Sequence, residues 1–122
     1  MTGSGDMTGR MTLVAAGLVG AAGVMSAAAA SHGGETRNLS AIAAICLAHG
    51  PALLALGLGG KGRLLQLATG LLAIGTMVFA GDLAMREWLG HGMFPGAAPL
   101  GGMAMIGGWL AIVVAGLVWS RR

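Results

Sequence analysis

The chain has 122 residues, of which 56% are hydrophobic and only 9% charged. Soluble domains carry about 25% charged residues, so this chain cannot cover a water-facing surface. Its net charge of +3 rests on seven basic residues scattered along the chain, a topology pattern rather than a nucleic-acid patch.

Four apolar stretches follow in chain order, each near the roughly 20 residues that cross about 30 Å of hydrocarbon. They run from Met11 to Ala30, Ser40 to Gly59, Leu64 to Leu83 (continuing as helix toward Leu89) and Leu100 to Trp119. The connections "SHGGETRNL", "GKGR" and "REWLGHGMFPGAAP" are marked by glycine, proline and charge. Lipid admits only helices or closed barrels, and no alternating strand pattern is present. The predicted fold is therefore an all-α integral membrane protein, a four-transmembrane-helix bundle with short loops. Residues 1–10 read as a disordered tail and 11–122 as a single transmembrane domain.

The first stretch also resembles a secretory signal, with an A-x-A-like site at Ala28 to Ala30; the reading retains it as a span. It is only weakly hydrophobic, and Gly17, Gly20 and Gly23 recur at three-residue intervals. That composition suits a helix packed against its neighbours better than one facing lipid all round. Arg10, Lys61, Arg63, Arg121 and Arg122 fall on one side of the membrane, and Arg37 and Arg86 on the other. This bias predicts both termini in the cytoplasm. Glu35, Asp82, Glu87, His32 and His91 then lie on the outer side.

The second span carries the sharpest anomaly, "CLAHGPALLALG" over residues 46–57. His49 lies roughly 13–14 Å below the outer edge at 1.5 Å per residue, and an ionisable residue at that depth marks a functional site by default. The simpler reading is a neutral imidazole hydrogen-bonded to a neighbouring helix. Depth counting brings Ser26, Thr76 and Trp109 to the same level. Trp109 is the expected donor to His49 and Thr76 the alternative, with the other ring nitrogen donating to a carbonyl such as the one exposed at a Pro51 kink. Pro51 lacks an N–H and frees the Leu47 carbonyl, while Gly50 leaves space for a bend or a close neighbour. Ala44, Ala48 and Ala52, and likewise Ala104, Gly108 and Ala115, form candidate contact stripes. Trp88 and Trp119 read as interfacial anchors.

Chemistry has little visible apparatus. The single cysteine, Cys46, excludes a disulfide framework. There is no phosphate loop, nucleophile–base pair or HExxH motif, so the chain is not expected to be an enzyme. His32, His91 and Met93 on the outer side form a weak copper-type set, and no cofactor or metal is expected.

The block "APLGGMAMIGGWLAI", residues 98–112, with "AAAASHG", "CLAHGPALLALG" and "MVFAGDLA" in that order, resembles the YgdD family, which includes the vertebrate transmembrane protein 256. The matching positions are His32, His49, Phe79, Gly81, Pro99, Gly101, Gly102, Gly108 and Trp109. Ala80, Asp82 and Ala84 stand where that family's pattern has two serines and a tyrosine. The resemblance implies a small multi-span protein of bacterial inner membranes or mitochondria and specifies no activity. The functional expectation is a structural, assembly or accessory subunit acting through helix packing, as a homo-oligomer or within a larger membrane complex of the bacterial inner membrane. The alternatives are a haem- or copper-binding protein using His49 or His32 and His91, and a small proton-sensitive transporter.

Overall fold

The computed structural model describes residues 4–33 and 36–120. It contains α1 (Ser4–Gly33), α2 (Arg37–Gly59), α3 (Arg63–Trp88) and α4 (Ala97–Leu117), with no strand among the described residues. All four are long and apolar enough to cross a membrane.

The ends follow local chemistry. At the start of α2, the Thr36 hydroxyl accepts the Leu39 N–H at 3.1 Å, satisfying one of the helix's orphan donors. At its end, the Gly60 N–H closes on the Leu56 carbonyl at 2.8 Å. Helix α3 stops where Gly90 turns into the left-handed region, φ 83°, and returns its N–H to Met85 at 3.1 Å. Helix α4 starts from Gly96, also left-handed at φ 84°.

Two expectations about boundaries change. Helix α1 begins at Ser4, so residues 4–10 extend the first helix instead of forming a separate tail; residues 1–3 lie outside the described residues. The reason is packing: a Cβ on Gly9 would lie 3.3 Å from the Gly57 carbonyl, so α1 rides along α2 almost to the end of that helix. The α3–α4 connection is also shorter than the polar composition suggests, spanning only residues 89–96.

Helix α1 packs along α2, and α4 along α3, with α2 and α3 joining the two pairs and α1 touching α3 lightly. Each helix buries one narrow seam, and on α1 and α2 its positions alternate by three and four residues, the spacing of left-handed helix packing. On α1 the seam is Thr12, Ala16, Val19, Gly23 and Ser26; on α2 it is Leu39, Ile42, Cys46, His49 and Leu53. On α3, Ala68, Leu72, Gly75 and Asp82 are buried, and on α4, Ala97, Gly101, Met105, Gly108, Ala111 and Ala115.

Each pair has a glycine crossing. A Cβ on Gly50 would come within 3.1 Å of the Gly20 Cα, and one on Gly101 within 2.7 Å of both the Gly75 carbonyl and the Phe79 nitrogen. Such approaches let backbones pack where no side chain would fit. The α4 stripe of Ala104, Gly108 and Ala115 lies at the α3–α4 seam. The α2 stripe does not pack internally: Ala44 and Ala48 are exposed and Ala52 half-buried, because the inward face is the one carrying Cys46, His49, Gly50 and Leu53.

Candidate functional site: a histidine–tryptophan bridge and two loop clasps

His49 is 6% exposed at mid-depth in α2. The Trp109 indole N–H donates to its Nε2 at 3.0 Å, and its Nδ1 lies 2.8 Å from the Ile45 carbonyl one turn earlier. A carbonyl oxygen accepts only, so Nδ1 carries the proton and Nε2 offers its lone pair to tryptophan. Both nitrogens of a neutral imidazole are thus satisfied, which is what burial of a polar ring in hydrocarbon demands. The rings meet edge to face, centroids 5.6 Å apart and planes at 69°, a favoured aromatic geometry.

The acceptor for Nδ1 is Ile45, where a carbonyl at the proline was expected. His49 sits on the inward seam while Pro51 is exposed, so the ring reaches back along its own side of the helix. Helix α2 continues without interruption through Pro51. Gly50 accommodates a close neighbour, the α1 backbone at Gly20. Thr76 is fully buried, and its hydroxyl has no hydrogen-bond partner among the described residues.

At the opposite end from the α2–α3 turn, two carboxylates hold loops. Asp82 is fully buried in α3. Its Oδ2 accepts from Arg86 Nε at 2.9 Å, and its Oδ1 accepts the Met93 backbone N–H at 2.7 Å, folding the 89–96 loop back over α3. A Cβ on Gly92 would lie 2.5 Å from Oδ1, so glycine is required for this closure. Glu87 accepts from the Thr36 hydroxyl at 2.9 Å and from Asn38 Nδ2 at 3.4 Å, tying the start of α2 to the end of α3. Glu35 lies outside the described residues.

Asp82, expected near one end of the third span, is the buried anchor of the 89–96 loop, on the last turns of α3. The roles of Thr36, Asn38, Arg86 and Glu87 were missed. A signal existed for two of them: Arg86 stands four residues after Asp82, the spacing of a helical ion pair, and Thr36 immediately precedes a helix as an N-cap should. Nothing in the sequence indicates that Glu87 meets Thr36. His32 and His91 are both exposed, and His91 Nδ1 lies 3.1 Å from the Gly92 carbonyl. Among the described residues, no three His, Cys, Asp or Glu side chains are grouped as a metal would require.

Comparison with protein families places this arrangement in context. Residues 19–102 match the family described as "Protein of unknown function (DUF423)", more than half of the chain. The chain belongs to that family. The matched region contains His49, both carboxylate clasps and both glycine crossings. This DUF423 family is the YgdD and transmembrane protein 256 family of small membrane proteins, in agreement with the sequence resemblance. No curated protein and no solved structure shows a significant match to the chain.

Proposed function

We propose that this DUF423 protein is a non-catalytic packing subunit, assembling with copies of itself or within a larger complex of the bacterial inner membrane, with both termini in the cytoplasm. One observation carries the reading. On α2, Ala44, Ala48, Pro51 and Ala55 are exposed and repeat at the same alternating spacing as the seams inside the bundle. Lipid gains nothing from so smooth a face, whereas a neighbouring helix can approach it closely.

The polar groups point the same way. Asp82, Glu87 and His49 spend their hydrogen bonds on loops and helices of the chain itself. A haem or copper ion on His49 would have to take the Nε2 lone pair that tryptophan now occupies. The test is purification from native membranes in lipid nanodiscs, followed by mass determination and protein identification. A fixed homo-oligomer or one constant partner is expected, and Ala48→Trp should disperse it. A monomer with no partner, or stoichiometric copper or a haem absorption band, would overturn the reading.

A further inference from the structure

A cleft of about 720 Å³ opens between the start of α3 and the end of α4, with Lys61, Arg63, Leu64, Leu65, Val118 and Trp119 in its lining. Its two cations are exposed and, among the described residues, form no ion pair or hydrogen bond. The other end of α3 is different: there Arg86 is neutralised by Asp82, and Glu87 is bonded as well. Among the described residues, nothing compensates the positive charge in the cleft.

We infer that this cleft holds an anionic phospholipid, its phosphate between Lys61 and Arg63 and its glycerol and upper acyl chains against Leu64, Leu65, Val118 and Trp119. Three features select that occupant. The cleft lies at the ends of two membrane-spanning helices, the level at which a lipid presents its phosphate. One part of its lining is cationic and the rest apolar, matching a molecule anionic at one end and oily at the other. Tryptophan near a helix end prefers the interface, where its ring meets the glycerol region. A soluble anion would leave the apolar wall unused, and a zwitterionic headgroup would bring its own cation to two others. Basic pockets between membrane helices bind acidic headgroups on this physical basis.

Native mass spectrometry of the full chain in detergent micelles, titrated with dioleoyl phosphatidylglycerol or dioleoyl phosphatidylcholine, tests this. The wild type should retain one phosphatidylglycerol in preference to phosphatidylcholine. Lys61→Gln and Arg63→Gln should each weaken retention about fivefold and the double variant about thirtyfold, near 1 kcal/mol per cation. Arg37→Gln, at the opposite end, should leave it unchanged. Equal retention of the two lipids would overturn the inference, as would an unaffected double variant or displacement of the lipid by inorganic phosphate alone. Failure of the wild type to retain either lipid would overturn it too. Should the double variant fail to insert, the lipid preference of the wild type and the single variants decides.

Discussion

Trp109 and His49 are hydrogen-bonded at 3.0 Å although no α-carbon of α4 comes within 8 Å of one in α2 among the described residues. Two large rings span a gap that the backbones leave open. Interhelical hydrogen bonds in membranes average about 0.6 kcal/mol, so this bridge sets register more than it adds bulk stability. His49→Leu should insert normally and release the side-chain link between α2 and α4. Trp109→Phe should lose the bond while keeping most of the ring, and the two substitutions together should cost less than their sum. A double-mutant cycle from detergent-induced unfolding measures the coupling; strict additivity would show that the two rings act independently.

The glycine crossings make a paired prediction on a single helix. Gly101→Ala places a methyl 2.7 Å from the Gly75 carbonyl and the Phe79 nitrogen, whereas a Cβ on Gly102 meets nothing within 4 Å. Backbone cannot yield as a side chain tip can, so Gly101→Ala should destabilise by about 1–3 kcal/mol. Gly102→Ala should be neutral or stabilise by up to about 1 kcal/mol, because alanine favours the helix and meets no neighbour there. Equal effects in unfolding titrations would mean that α3 and α4 do not cross at this point.

Asp82 predicts the behaviour of the 89–96 loop. Asp82→Asn keeps the side chain's shape but removes the charge that Arg86 and the Met93 N–H both engage. Amide exchange at Met93 and neighbouring residues should accelerate, while exchange in the middle of α3 stays slow. Arg86→Gln should do less, because the Met93 bond survives it. Unchanged exchange at Met93 in the aspartate variant would count against the clasp.

Topology is open to a labelling experiment. Cysteines in place of His32 and His91, both exposed, should react with an impermeant maleimide added to intact cells, and one in place of Ser120 should not. Cys46, 1% exposed, should stay silent. Gly92 is unsuitable for a probe, since a side chain there collides with Asp82 and Arg86. Labelling at Ser120 from outside would invert the proposed orientation.

What the sequence determined by itself is what depends on composition along one axis. Hydropathy and length demanded four helices, and depth counting put His49 level with Trp109, because rise per residue in a membrane helix is nearly constant. Facing is a different matter. Alanine is small enough to sit on either side of a helix, so the spacing of Ala44 and Ala48 resembled an internal seam until the neighbours of α2 turned the other face inward. The carboxylates show the same division: their level near one end was legible from residue counting. That Asp82 would reach the Met93 N–H, and Glu87 the Thr36 hydroxyl, depended on how segments separated by 11 and 51 residues of chain were brought together. Only tertiary packing decides such contacts, since a hydrogen bond between distant segments leaves no periodicity in either of them.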